Sequence, residues 1–454
     1  MRILVNKTFE KIAAGDAASV ERTLQLSDMR AWAAAFGDAD PLTAPGESQV
    51  ASGVVTTLLT ALAGSALPGP GSSIRAASVQ VLGSLPIGTP MTARLVVREK
   101  RPDQGVVILD GSCTDAAGRI VATAVLEVLA PTTRLERQVA DHRLEGLVAL
   151  CRDLNKPMPT GVVHPCSAEA LAGAVEAAEA GLIVPVLFGP EAEIRRIADQ
   201  AHLDLSACRI TPSEGAEDSA LKAAMAAGRG EVAALMKGSL HSDVFLHAIM
   251  QTDAKLRTGR LISHCALVSA PTYGRRFIIS DAALNIAPNT DQKRDICQNA
   301  IGFARALGID TPKVAVLAAV EMVNTAMPAS VDGAILAKMA DRGQIVGGVV
   351  DGPLDLDAAV DREAARIKHI DSPVAGVADV LIAPSIEAGN MVYKNLAFMA
   401  DAQTAGLVVG ARVPVILTSR ADAAPARIFS TAAAVLYADA LARDPRILLP
   451  DVAE

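Results

Sequence analysis

The sequence predicts two folded domains in series, an α+β domain over residues 1–135 and a larger α/β domain over residues 136–454. Three observations carry this reading. A chain of 454 residues is longer than one hydrophobic core ordinarily serves. Before residue 135 a single uncharged helix candidate precedes a run of strand-like segments. From Leu144 onward, short continuous apolar segments alternate with amphipathic stretches, the pattern of a mostly parallel sheet covered on both faces.

In the first part the helix candidate is "VVTTLLTALAGSAL" (54–67). Four strand candidates follow, "IRAASVQVLG", "PMTARLVVREK", "GVVILDGSCTD" and "RIVATAVLEVLA", separated by turn signals such as "RPDQG" and "DAAG". One apolar helix followed by an antiparallel meander predicts a sheet wrapped on a central helix. The charged stretch "PTTRLERQVADHRLEG" reads as a linker helix.

In the second part the strand candidates are "LIVPVLFG", "EVAALMKG", "RFIISD", "KVAVLAAV", "IVGGVVDG", "ADVLIAPS" and "VPVILTS". Helical stretches such as "DQKRDICQNAIGFARALG" and "MPASVDGAILAKMADRG" lie between some of them. In such sheets ligands bind beyond the carboxyl ends of the strands, so the residues that close each strand are the ones to inspect.

Composition narrows the classes. A net charge of −8 with few aromatics opposes broad binding to nucleic acid or anionic membranes. Cys113, Cys151, Cys166, Cys208, Cys265 and Cys297 show no CxxC and no zinc spacing, so buried reduced thiols are expected and no metal. The opening "MRILVNKTFEKIAAGD" breaks into charge before a signal-peptide core could form, and the uncharged run near Val54–Leu67 is too short to span a bilayer. A cytoplasmic enzyme is the expectation.

The strand ends are rich in small and polar residues: "MKGSLHSD", "SDAALNIAPN", "VDGPLDLD", "PSIEAGNMVYK" and "LTSRADAA", with "LRTGRLISH" between the first two. Taken singly, each is explained by a helix cap or a turn. Capping does not explain Lys237, Arg260, Lys394 and Arg420 gathered at these ends. Cations together with helix N-termini make an anion site, suited to phosphate or an acyl phosphate. No GxGxxG follows a strand and no Gly-Lys dipeptide occurs, so dinucleotide and P-loop readings lose their fingerprints.

From Leu144 on, these segments in this order resemble the phosphate acetyl/butyryltransferase family, with "LMKG" and "SRAD" closer to its butyryl branch. The resemblance implies reversible acyl transfer, acyl-CoA plus phosphate giving acyl phosphate plus CoA, with CoA as substrate and no tightly bound cofactor. It also implies a two-lobed α/β fold of the isocitrate/isopropylmalate dehydrogenase type, a site in the interlobe cleft and dimerisation through this domain. Ser419 and Arg420 match the family's Ser-Arg pair, with Arg420 holding the phosphate, and Asp422 is the nearest carboxylate to take the thiol proton. Lys237, Thr258, Arg260, Asn285, Asn390 and Lys394 are the expected substrate-binding residues; each Asn also fits a cap or a turn.

The first domain resembles a MaoC-type hotdog, the fold of (R)-specific enoyl-CoA hydratases, in "FGDADPLTAP", "VASGVVTTLLTALAGSALPGPGS" and a meander ending "VLEVLAP". That family carries Asp-x-Asn-Pro-x-His. Here Asp38 matches the Asp, Asp40 stands for the Asn, Thr43 stands where His belongs, and Ser52 replaces the His of a His-Gly pair. No histidine precedes His142. The expectation is a hydratase-inactive hotdog that serves in assembly or in holding an acyl-CoA, on a homo-oligomer of transferase dimers with a hexamer as the expected larger form. The rival readings are a truly bifunctional hydratase/transferase, a non-catalytic CoA-binding or assembly protein, and an oxidoreductase on the same two-lobed fold. The intact Ser419-Arg420-x-Asp422 opposes the non-catalytic reading, and the missing nucleotide fingerprints oppose the oxidoreductase.

Overall fold

The computed structural model describes residues 2–24, 28–29, 32–33, 50, 52–139, 144–154, 156–271, 273–417 and 424–447. The chain forms two compact units, Met1–Asp141 and His142–Glu454.

The first unit contains β1 (Arg2–Val5), β2 (Ala17–Thr23), α1 (Ser52–Ser65), β3 (Ser73–Val81), β4 (Pro90–Arg101), β5 (Val106–Asp115), β6 (Ile120–Leu129) and β7 (Glu136–Val139). Five of these strands make an antiparallel sheet in the order β2-β4-β5-β6-β3. Along β4 the residues Met91, Ala93, Leu95 and Val97 are buried and their neighbours are more open, the period of two that turns one face of a strand inward. α1 lies against all five strands and covers that face with Val55, Leu59, Leu62 and Ala63. This is the helix-wrapped sheet that the hotdog expectation requires.

The expected linker helix is corrected. Within "PTTRLERQVADHRLEG", residues 136–139 are the strand β7, paired antiparallel with β1 from Arg2↔Val139 to Val5↔Glu136. Asn6 secures the entry, accepting from the Leu135 amide at 2.9 Å and donating to the Thr133 carbonyl at 2.9 Å. A charged segment without an apolar stripe gives a helix nothing to bury, whereas the open edge of β1 offers backbone partners.

The second unit opens with α2 (Glu145–Asp153), β8 (Met158–Val163), α3 (Ala168–Glu179), β9 (Ile183–Gly189), α4 (Glu191–Ala201) and β10 (Arg209–Pro212). Next come α5 (Gly215–Gly228), β11 (Ala234–Lys237), α6 (Ser242–Met250), β12 (Ser263–Ser269) and β13 (Arg276–Ser280). They are followed by α7 (Thr290–Ala306), β14 (Lys313–Leu317), α8 (Pro328–Asp341), β15 (Val349–Leu354), α9 (Leu356–Val360) and α10 (Arg362–Ile367). Then come β16 (Val380–Ile382), α11 (Ile386–Met399), β17 (Gln403–Val409), β18 (Val415–Ile416) and α12 (Ala424–Arg443).

All eleven strands join one sheet in the order β10-β9-β8-β11-β18-β17-β12-β13-β16-β14-β15. The expected single carboxyl edge is corrected here. β10, β9, β8, β11 and β18 run parallel to one another, as do β13, β16, β14 and β15. Between the two groups, β18–β17, β17–β12 and β12–β13 are all antiparallel. Three reversals point the carboxyl ends of the two groups to opposite edges. The cause is local: only six residues join β12 to β13, enough for a hairpin and too few for a parallel crossover.

Four of the cysteines are buried and all six are free, but Cys166 and Cys208 are only half-buried, which corrects the expectation of uniformly buried thiols. No helix among the described residues is long and apolar enough to cross a membrane.

Candidate active site

β11 lies between β8 and β18, parallel to both. Its ladder with β8 runs past its own end, because the Gly238 amide donates to the Val163 carbonyl at 2.9 Å and the Ser239 amide to the His164 carbonyl at 2.8 Å. This close crossing requires glycine. A Cβ on Gly238 would lie 2.6 Å from the His164 carbonyl oxygen and closer still to that of Val163. After β8 the chain turns into α3, where the Ser167 hydroxyl caps the helix by accepting from the Ala170 amide at 3.2 Å.

These strand ends open on a cavity of about 510 Å³. α3 contributes Ser167, Glu169 and Gly173, the end of β11 contributes Lys237, Gly238 and Ser239, β18 contributes Ile416 and α12 contributes Arg427. Among the described residues two cations and one carboxylate face the cavity, which also adjoins the positive end of α3. The Glu169 carboxyl is held below the usual range by its own backbone amide and the Ser167 hydroxyl, against the cost of burial, with the Arg427 guanidinium the weakest influence. Beside Ser167, burial and the nearby Glu193 push the Cys166 thiol up to about 12, so this cysteine stays protonated and offers no nucleophile. Such a set of groups can hold and polarise an anion.

Of the six expected substrate-binding residues, the cavity contains Lys237. Thr258 and Arg260 precede β12, Asn285 follows β13 and Asn390 lies in α11 after β16, all at the opposite edge of the sheet. There Thr258 donates to the Gly410 carbonyl, Asn285 donates to the Ile262 carbonyl at 3.0 Å and to Asp281, and Asn390 donates to the Ala282 carbonyl at 2.9 Å. Arg260 is largely buried near Tyr437 and Asp295, and burial lowers its pKa. Tyr437 stands ten residues beyond Arg427 on α12, about 15 Å along the helix at 1.5 Å per residue. The Lys394 ammonium sits over the rings of Tyr393 and Phe398, 5.1 and 5.4 Å from their centroids. Lys237 and Arg260, two of the cations expected at one end, therefore stand at opposite edges.

Ser419, Arg420 and Asp422 lie outside the described residues, as do Asp38, Asp40 and Thr43; Ser52 is the first residue of α1. Sequence reasoning missed Glu169, Gly173 and Arg427. Arg427 stood in plain view in "AAPAR", seven residues after Arg420, in a segment scanned for an acid. An acidic trio, Glu321, Asp355 and Asp357, has the spacing of a cation site. The Lys368 ammonium reaches all three, at 2.6, 3.4 and 2.6 Å, and closes it as an ion-pair network.

Residues 213–435 match the family described as Phosphate acetyl/butaryl transferase. A phosphate acetyltransferase of Rhizobium meliloti is 49% identical over 298 residues, covering 65% of this chain and 93% of that protein. The chain belongs to the phosphate acetyl/butyryltransferase family. A phosphate butyryltransferase of Clostridium beijerinckii is 41% identical over 263 residues, covering 58% of this chain and 87% of that protein. Among solved structures, a branched-chain phosphotransacylase from Enterococcus faecalis V583 superposes with a TM-score of 0.56 at 28% identity, covering 62% of this chain and 99% of that one. The match to the family runs from Ser213 to Val435 and so takes in Lys237, the "SRAD" segment and Arg427.

Proposed function

We propose that the cavity at the carboxyl ends of β8, β11 and β18 is the acyl-transfer site of a phosphotransacylase, completed by Ser419, Arg420 and Asp422. One observation carries this location. Ile416 and Arg427, which stand on either side of residues 418–423, both line the cavity. The reaction is acyl-CoA plus phosphate giving acyl phosphate plus CoA, and it runs in both directions. In the direction of acyl-CoA formation the CoA thiol gives up its proton and attacks the acyl carbonyl, and phosphate leaves with the electron pair of the C–O bond. Asp422 is assigned to take the proton. Arg420 and Lys237 hold the phosphoryl oxygens, and fixed donors stabilise the growing charge without the reorganisation that water would need. Thr258, Asn285 and Asn390 spend their donors on backbone carbonyls, so we assign them to holding loops rather than to touching substrate.

The acyl group proposed is acetyl, with propionyl and butyryl also admitted, and the reaction requires no bound cofactor. We further propose that the two oppositely directed strand groups are the two lobes of a dehydrogenase-like fold, and that the enzyme works in the cytoplasm, where CoA and phosphate are at hand. Residues 1–135 are proposed to keep the hotdog shape without hydratase activity, because no histidine precedes His142 to complete the acid–base pair. The test is one preparation assayed twice. Phosphate-dependent thiol release from acetyl-, propionyl- or butyryl-CoA is expected, and hydration of crotonyl-CoA is not. Thiol release from none of the three would sink the transferase site. Hydration that disappears in Asp38→Ala would restore the bifunctional reading.

Assembly follows from a second feature. β3 is an edge strand of its sheet, open along almost its whole length, with Ile74 and Val81 exposed and Leu129 exposed on the neighbouring β6. An unpaired apolar edge is a surface for a second copy. Combined with pairing through the transferase unit, two isologous contacts on one chain can close a ring, and a hexamer built from transferase dimers is the form proposed. Light scattering should give a larger subunit count for the full chain than for a chain beginning near Ala140. The relatives described above span little more than that second segment. Equal counts in the two would remove the hotdog contact.

A further inference from the structure

We propose that Arg427 is a second anion anchor of this site, and that Glu169, a carboxylate facing the same cavity, is the counter-ion that opposes phosphoryl binding there. The inference rests on the reading of the cavity as the acyl-transfer site. Arg427 is seated across α3: its Nε and Cδ lie 3.1 and 3.2 Å from where a Cβ on Gly173 would be. A Cβ there would push the guanidinium stem off the helix by a few tenths of an ångström. Glu169 is four residues before Gly173, hence on the same face of α3 and one turn nearer its N-terminus. Glu169, Gly173 and Arg427 all line the cavity with Lys237, and the Arg427 charge helps to keep the Glu169 carboxyl ionised.

A plainer reading makes the Arg427 stem a packing contact that ties α12 to α3 at Gly173. That reading leaves two features without a cause. Arg427 stands in the first turn of α12, where a cation opposes the helix dipole and helix stability alone would favour an acid. Gly173 stands mid-helix, where glycine is among the least favourable residues, and its one evident service is to admit the Arg427 stem. Both features cost stability and both keep a guanidinium at the cavity wall. A phosphoryl group offers two oxygens to the guanidinium fork and more negative charge than one carboxylate. It therefore outweighs Glu169 in the field of Arg427, and the Glu169 charge raises the phosphate concentration needed to fill the site.

The full-length chain tests this with acetyl-CoA and inorganic phosphate. Glu169→Gln removes the competing charge and should lower the KM for phosphate about two- to fivefold, the scale of one solvent-exposed ion pair. Arg427→Gln should raise that KM about ten- to hundredfold, the scale of a charged hydrogen bond lost, with Arg427→Lys between it and wild type. An equilibrium readout runs beside the kinetics: inorganic phosphate should raise the melting temperature more in Glu169→Gln than in wild type, and less in Arg427→Gln. A phosphate KM that is unchanged or raised in Glu169→Gln overturns the proposal. So does an Arg427→Gln effect confined to the KM for acetyl-CoA, which would place the guanidinium on a phosphate of CoA. Lys237→Gln separates the two levels of inference. If it impairs phosphate use while Glu169→Gln and Arg427→Gln are silent, only the counter-ion proposal fails. If all three are silent, the cavity is not the site and both fail.

Discussion

Arg420→Ala is expected to lower turnover by roughly two to three decades in a protein that still melts cooperatively. The figure is that for loss of one fixed donor to a developing oxyanion, about 10²–10³-fold in rate. The argument is electrostatic. As phosphate leaves the acyl carbon, charge collects on its oxygens and on the carbonyl oxygen, and a guanidinium held beside them needs no reorientation at that moment. Lys237 and Arg427 remain at the cavity wall in the variant, so phosphate should still bind and the loss should fall mainly on kcat. Arg420→Lys should recover part of the rate, since the charge returns without the two-pronged geometry. The measurement is thiol release at saturating acetyl-CoA and phosphate. Near-wild-type turnover in folded Arg420→Ala would remove this residue from the chemistry and return attention to Arg427.

How much of this was legible beforehand depended on whether the signal was local. The alternation of Met91, Ala93, Leu95 and Val97 is a local pattern, and it announced β4 and the face that α1 covers. The apolar runs that became β9, β11, β13 to β16 and β18 were equally plain. In the second unit the sequence reading missed β8, β10, β12 and β17, and β12 and β17 are the two strands on which the sheet reverses direction. Without them the strand ends were all assigned to one edge, and Lys237 and Arg260 were grouped although they stand at opposite edges. Direction is a property of connections, and no residue in "SHCALVS" or "QTAGLVV" encodes which way its neighbour runs. The site was legible in the same measure. Lys237 stood at a strand end and was found. Glu169, Gly173 and Arg427 come from segments about 250 residues apart, and only packing shows that the glycine of one seats the arginine of the other.

Gly238→Ala is expected to lower kcat/KM about a hundredfold and to cost stability as well. The new methyl would point at the carbonyl oxygens of Val163 and His164, both closer than any real Cβ contact allows. Neither neighbour can give way cheaply. The Val163 oxygen accepts from the Gly238 amide, the His164 oxygen accepts from the Ser239 amide, and the His164 amide itself donates to the Phe188 carbonyl in the next strand. Relief must come from moving the end of β11, which carries Lys237 on one side and Ser239 on the other. Overpacking of this kind costs about 1–3 kcal/mol, and a shift near 1 Å at a positioning residue costs about 10²-fold in rate. Thermal melts and thiol-release kinetics on the same sample separate the two effects. Gly173→Ala is the contrast, because there the obstructing atoms belong to the Arg427 side chain and can swing away. Its melting temperature should stay close to wild type while its KM for phosphate rises. If Gly238→Ala proves as mild as Gly173→Ala, the β8–β11 crossing is not the rigid seat of Lys237, and the cation must be positioned from elsewhere in the second unit.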